Sequence, residues 1–180
     1  VARVMHNFGL KDLIVVSPRD NWLNSKSINA AKKANKIIKN IKVFDDLEIA
    51  LSNFYYVIAT TNRRRYLEKY STNDFKFIKK KINLNKKTAI LFGPENSGLS
   101  NEDLILSDII FTIETSSKSN SLNLSHAVTI LCHKLFELNN LKFTNSIIIE
   151  KDNINKYQLS KFLNYLFENL ENKKFFMPRE

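Results

Sequence analysis

Short apolar runs alternate with amphipathic stretches along this chain. Leu13-Ile14-Val15-Val16 is a β-rich run closed by Ser17-Pro18. Three more runs have the same character: Phe54-Tyr55-Tyr56-Val57-Ile58-Ala59, Thr88-Ala89-Ile90-Leu91-Phe92 and Ile109-Ile110-Phe111-Thr112-Ile113. Their β-branched and aromatic side chains suit a buried pleated surface. Lys42-Val43-Phe44 reads as a brief strand. Residues 27–38 put alanines and isoleucines on one side and lysines on the other, which predicts a helix. Further helices are predicted over 46–51, 122–139 and 156–171, the last with Phe162, Leu163, Leu166, Phe167 and Leu170 on one face. Ser100 with Asp103 three residues on marks a helix N-terminal cap. Residues 60–65 and 114–120 are polar loops. The stretch 76–87 is basic and of no clear period.

Strands alternating with helices predict an α/β fold, with a mostly parallel sheet and helices on both faces. A length of 180 residues suits one domain of ordinary size. The plausible boundary lies at 140–155, dividing an α/β body, 1–140, from a linker and C-terminal helical extension, 141–180.

Composition narrows the function. A hydrophobic fraction of 43% supports a core, and the single cysteine, Cys132, allows neither an internal disulfide framework nor a cysteine-based zinc site. The three histidines, His6, His126 and His133, form no ligand pattern, so no metal is expected. No apolar run reaches the roughly 18 residues of a membrane span. These features fit a cytoplasmic protein. The net charge of +10 favours a polyanionic partner such as nucleic acid, over the alternative of a lysine-rich solvated surface.

Glycine is scarce: three residues, where about 12 would be ordinary at about 7% usage. Two of them, Gly93 and Gly98, flank one loop directly after a strand. A strand, a tight glycine loop and a capped helix can present backbone N–H groups to a ligand, or can form an ordinary turn. Two other polar segments stand out. Thr60-Thr61-Asn62-Arg63-Arg64-Arg65 follows a strand, where open α/β sheets bind ligands and arginines can grip phosphates, though a solvated loop explains them equally well. Ser119-Asn120-Ser121-Leu122-Asn123-Leu124-Ser125 precedes a long helix that Ser121 or Asn123 can cap.

Taken together these segments resemble the SPOUT methyltransferases, specifically the TrmH/TrmJ-like ribose 2′-O-methyltransferases of tRNA and rRNA. The matching text is Ala2-Arg3-Val4-Met5 with Asn7-Phe8-Gly9-Leu10, then Thr60–Arg65. It continues with Phe92-Gly93-Pro94-Glu95-Asn96-Ser97-Gly98-Leu99-Ser100-Asn101-Glu102 and Ser121-Leu122-Asn123-Leu124-Ser125-His126-Ala127-Val128. The order of segments and the arginine loop look most like the TrmJ branch, which methylates the ribose of nucleotide 32 in the tRNA anticodon loop.

The resemblance implies a C-terminal trefoil knot, a homodimer and S-adenosylmethionine as cofactor. It implies a cofactor pocket lined by Thr60, Thr61, Asn62, Gly93, Gly98, Ile113, Asn120, Ser121 and Leu122. Arg3 matches the arginine thought to activate the 2′-hydroxyl. Because a guanidinium stays protonated to pH of about 12, electrostatic stabilisation of the alkoxide and phosphate positioning suit it better than base catalysis. Glu95, Ser121 and Asn123 match residues that organise the site, and Arg63 and Arg65 match arginines that meet RNA phosphate. The chain departs from the pattern in places. It begins without the strand and asparagine that precede the Ala-Arg pair, Pro94 replaces a frequent arginine, and Glu114 replaces a frequent proline. Arg64 stands where a small residue is common, and relatives continue beyond Glu180. The same chemistry on another tRNA or rRNA ribose, a non-catalytic RNA-binding homologue and an unrelated nucleotide-binding domain remain the alternatives.

Overall fold

The structure is a computed structural model that describes residues 1–19, 22, 25–63, 69–82, 86–116, 122–140 and 154–176. Its elements run in the order α1 (Ala2–Asn7), β1 (Ile14–Val16), α2 (Ser25–Ala31), a 3₁₀ turn (Lys32–Ala34), α3 (Asn35–Lys39), β2 (Lys42–Phe44) and α4 (Leu47–Leu51). There follow β3 (Tyr56–Thr60), β4 (Ser71–Thr72), α5 (Phe75–Lys81), β5 (Thr88–Phe92), α6 (Asn101–Ile105), β6 (Ile109–Phe111), α7 (Leu124–Asn140) and α8 (Lys156–Asn172).

Every described ladder is parallel. Four strands pair in the order β4-β6-β3-β5, and β1 and β2 form a separate pair, so the described residues hold two ladders. β3 is the centre: Thr60 lies opposite Phe92 of β5 on one side and Phe111 of β6 on the other. Its Val57, Ile58 and Ala59 are fully buried, as a strand covered on both faces requires.

Alternation along the strands sorts the core into layers. Ile58, Ile109 and Phe111 meet Ile78 of α5 and Leu131 of α7 on one face. Ala59 and Ile110 meet Leu99 and, from α6, Leu104 on the other, with Leu91 packed against them. A third layer joins Ala2 and Met5 of α1, Ala31, Ala34, Ile37 and Ile38 of the α2–α3 segment, and Val128 and Cys132 of α7. Phe92 and Leu124 rest against it. Burial pushes the Cys132 thiol above its ordinary range, so it packs as a small apolar group.

The predicted elements differ from the observed ones in detail. The helix expected over 27–38 is three pieces, because Lys32 adopts a left-handed conformation, φ 47°, at the start of the 3₁₀ turn. The strand expected through Ile113 ends at Phe111, and the basic stretch contains α5, capped by the Asp74 side chain accepting from Lys76 N at 2.8 Å. β4 carried no apolar signal: its two residues pair with Ile110 and Phe111.

Ser100 and Asp103 form the expected capping box on α6. The other end of α6 is held by Lys69, whose Nζ donates to the carbonyls of Leu104 (2.6 Å), Ile105 (2.8 Å) and Ser107. Burial, with Lys156 nearby, pulls the Lys69 ammonium below the ordinary lysine range. α8 starts on the body: Lys156 N donates to Phe54 O at 3.0 Å, and Lys156 Nζ meets Asp108 Oδ1 at 2.6 Å. Among the described residues, no helix is long and apolar enough to cross a membrane.

Candidate functional site

Three loops leave the C-terminal ends of adjacent parallel strands. The order β6-β3-β5 sets the loop after β3 between the other two, where an open α/β sheet forms its crevice. Thr60 Oγ1 donates to Leu91 O at 2.6 Å, tying β3 to β5. On the opposite side Thr112 Oγ1 donates to Thr61 O at 3.0 Å, and Asn62 Nδ2 reaches Thr115 Oγ1 at 3.4 Å. The Thr-Thr-Asn segment is thus stitched to both neighbours by its own small polar side chains. Ile113 is half-buried against the α5–α7 layer.

The glycine loop folds on itself. Gly98 N donates to Pro94 O at 2.8 Å, closing one turn. A Cβ on Gly93 would stand 2.3 Å from both Gly98 C and Leu99 N, so the Gly98–Leu99 peptide passes where any side chain would be. Gly98 has φ +68° and open space, with Arg63 Cδ and Nε 4.0 Å from the Cβ position. The two glycines therefore answer two different demands, close backbone approach and positive φ.

Arg63 crosses from the β3 loop to this loop: its Nη2 donates to Asn96 O at 3.1 Å, and its N–H donates to Thr61 Oγ1 at 3.1 Å. An open cleft beside it is lined by Arg63, Ser97, Gly98, Ser100, Asn101 and Glu102. Arg63 is exposed, so the guanidinium keeps faces toward solvent. Nothing in the sequence signalled the Arg63–Asn96 bond, since a residue-to-carbonyl contact leaves no motif.

Glu95 reaches the head of α7. Its Oε1 accepts from Asn123 Nδ2, while Asn123 Oδ1 accepts from Ser125 N at 2.8 Å and from Ser125 Oγ at 2.6 Å. Asn123 thus caps α7 with its oxygen and holds Glu95 with its nitrogen. Leu122 beside it is half-buried. The structure therefore brings Thr60, Thr61, Asn62, Arg63, Gly93, Glu95, Gly98 and Asn123 to one end of the sheet. Asn120, Ser121 and Arg65 lie outside the described residues.

The sequence pattern of the SpoU rRNA Methylase family matches residues 1–133. The chain belongs to this family. Among relatives, the tRNA (cytidine-2′-O-)-methyltransferase TrmJ of Methanocaldococcus jannaschii is 31% identical over 139 residues, covering 76% of this chain and 60% of its own length. The chain thus spans about six tenths of that enzyme. The crystal structure of TrmJ from Z. mobilis superposes with a TM-score of 0.81 at 28% identity, covering 98% of this chain and 75% of that one. The SpoU methyltransferase AviRb of Streptomyces viridochromogenes, crystallised with AdoMet, shares the fold at 17% identity and a TM-score of 0.56, over 77% of this chain and 54% of its own.

In this SpoU-family chain Arg3 sits on the exposed side of α1, whose Ala2 and Met5 are buried. Among the described residues the Arg3 side chain makes no hydrogen bond or ion pair, and no bond joins it to Glu95 or Asn123. Its helix packs against α7 and the 3₁₀ turn, in the layer that Phe92 and Leu124 also touch. Those two residues are the last of β5 and the first of α7, so α1 shares a layer with both site walls.

Proposed function

We propose that the chain binds S-adenosylmethionine in the strand-end crevice and methylates a ribose 2′-hydroxyl of tRNA, at nucleotide 32 of the anticodon loop. The observation that carries this reading is the Asn123–Glu95 bridge, which joins the glycine loop to the head of α7 at the sheet end where β3 and β5 finish. Membership of a methylase family and the tRNA ribose methyltransferases among its relatives support the class of reaction.

The residues fit the cofactor in kind. Small polar side chains and backbone at the ends of three strands suit a nucleoside, and Ile113 offers an apolar surface to a base. Thr60, Thr61, Asn62, Gly93, Gly98, Ile113, Asn120, Ser121 and Leu122 would hold it. When bound, S-adenosylmethionine supplies a methyl carbon activated by its sulfonium sulfur.

The residues lining the crevice would set the ribose oxygen at that carbon, so positioning carries much of the rate. Arg3 would stabilise the negative charge that develops on the ribose oxygen as its proton passes to solvent water, and would meet the adjoining phosphate. Glu95, Ser121 and Asn123 keep the loop and the helix head in register. Arg63 and Arg65 meet phosphates of the incoming RNA. In this reading residues 1–140 form the catalytic body with its trefoil knot, 141–180 form an extension, and the working species is a cytoplasmic homodimer.

Incubation with total tRNA and methyl-labelled cofactor, followed by mapping of the labelled ribose, tests the proposal. Label on nucleotide 32 is expected. Label confined to another tRNA or rRNA ribose would move the target and keep the chemistry. Salt-dependent RNA binding with no transfer would identify a non-catalytic RNA-binding homologue and overturn the reading.

A further inference from the structure

Between Asn21 and Phe44 the chain holds six lysines, Lys26, Lys32, Lys33, Lys36, Lys39 and Lys42, and no acidic residue. Six of the ten net positive charges therefore fall in 24 residues. The fold segregates them. Ala31, Ala34, Ile37 and Ile38 face the layer shared with α1 and α7, while Lys32, Lys33, Lys36 and Lys39 are all exposed on the outer side. Among the described residues none of the four lysines is paired with a carboxylate.

Solvation alone explains this ridge poorly. Any polar side chain keeps the outer face wet, and like charges three or four residues apart each oppose the helix by roughly 0.2–0.5 kcal/mol. The negative end of the helix dipole favours cations at Lys36 and Lys39, in the last turn of α3, and leaves Lys32 and Lys33, in the three-residue 3₁₀ turn, unexplained. Lys32 is the most telling. Its φ of 47° is a conformation that glycine or asparagine adopts cheaply, and a lysine stands there.

We propose that Lys32, Lys33, Lys36 and Lys39 form a second RNA-binding surface, which grips the phosphate backbone at a distance from the ribose being methylated. The inference rests on the reading of the chain as an RNA methyltransferase and names a surface that the strand-end site does not contain. At about 1.5 Å per helical residue the ridge runs for about 10 Å, the reach of a few successive phosphates. It stands on the same apolar layer as α1, which carries Arg3, and Phe92 and Leu124 from the site walls touch that layer. A membrane surface suits it less. No large apolar side chain is exposed between Ser25 and Lys39, and an interfacial helix inserts such side chains.

Binding of a fluorescent tRNA transcript to the whole chain, measured from about 50 to 200 mM salt, tests the proposal alongside methyl transfer. Replacing the four lysines by Gln should lower the log–log salt slope by about three, since each phosphate left unneutralised takes away about 0.7–0.9, and should weaken binding at least about tenfold. It should raise KM for tRNA and leave kcat unchanged. The four-fold Lys→Arg variant should bind like the parent. Lys32→Gly should raise Tm, by relieving the backbone, while lowering the salt slope by about one; a structural role would never couple those opposite changes. If the parent methylates tRNA and the Gln variant keeps its slope, the ridge proposal fails and the functional reading stands. If no transfer occurs yet the slope falls, the ridge stands and the catalytic reading fails. Ridge-dependent binding to anionic vesicles with unchanged RNA affinity would overturn it as well.

Discussion

Asn123 spends its two side-chain ends on different tasks: the amide oxygen caps α7 through Ser125, and the amide nitrogen holds the Glu95 carboxylate. One residue thus fixes the distance between the glycine loop and the helix that follows the third site loop. Asn123→Ala should lose about 1 kcal/mol as the cap is removed. It should also slow methyl transfer at least about tenfold, on the scale of a misplaced reacting group. Glu95→Gln keeps an acceptor for the bond and should retain most of kcat, whereas Glu95→Ala should not. Equal loss in both variants would show that the carboxylate charge, and not its position, matters.

Gly93 and Gly98 should respond differently to alanine. At Gly93 the new Cβ would overlap the backbone of Gly98 and Leu99, and the loop must open. A loss of about 3 kcal/mol or more is expected in denaturant melts, with failure of S-adenosylhomocysteine binding by calorimetry. At Gly98 the space is free and only the positive φ opposes the side chain, which costs about 1–2 kcal/mol. Cofactor affinity should survive there within a few-fold.

Arg3→Ala should abolish methyl transfer and leave binding of S-adenosylhomocysteine unchanged. The exposed position of Arg3 makes the substitution structurally mild, so Tm serves as the control. Retained activity would remove Arg3 from the mechanism.

Asp108 accepts from Val57 N at 2.7 Å and from Lys156 at 2.6 Å. Asp108→Ala leaves the N–H of a fully buried strand residue without its acceptor and frees the start of α8. Urea unfolding should show a loss of about 2–3 kcal/mol. A much smaller loss would mean that water replaces the carboxylate.

Burial raises the Tyr56 phenol to about 12, with Asp108 and Tyr70 adding to the shift. Its neutral form is the one the fold prefers. The resulting stability is complete below about pH 10, the ordinary tyrosine value, and is lost as pH rises through 10 toward 12. An ultraviolet titration should show one late-ionising tyrosine, absent in Tyr56→Phe.

The elements around the candidate site were easier to read than the bonds that join them. The strands over 56–60 and 88–92 were legible because a strand covered on both faces shows as an unbroken apolar run. The Ser100–Asp103 box was legible because a cap has a fixed spacing. The scarcity of glycine singled out the loop over 93–98, where the structure assigns the two residues to internal backbone demands. Other features left no local trace. β4 is two polar residues whose strand character comes only from pairing with β6. The break at Lys32 defies residue preference, and the Lys69 carbonyl cage and the Arg63–Asn96 bond join residues more than thirty positions apart. Such bonds are set by tertiary closure, which periodicity does not encode.

The central place of β3 has a consequence for how the protein is made. Both of its partners lie downstream: β5 begins at Thr88 and β6 ends at Phe111. A ribosome adding about 5–20 residues per second delivers Val57-Ile58-Ala59 seconds before either neighbour can cover them. During that interval the central strand of the four-stranded ladder is a bare edge, open to other nascent chains. Expression yield should therefore depend on translation speed across residues 60–111 and on chaperones that shelter such edges, more than on the stability of the finished molecule.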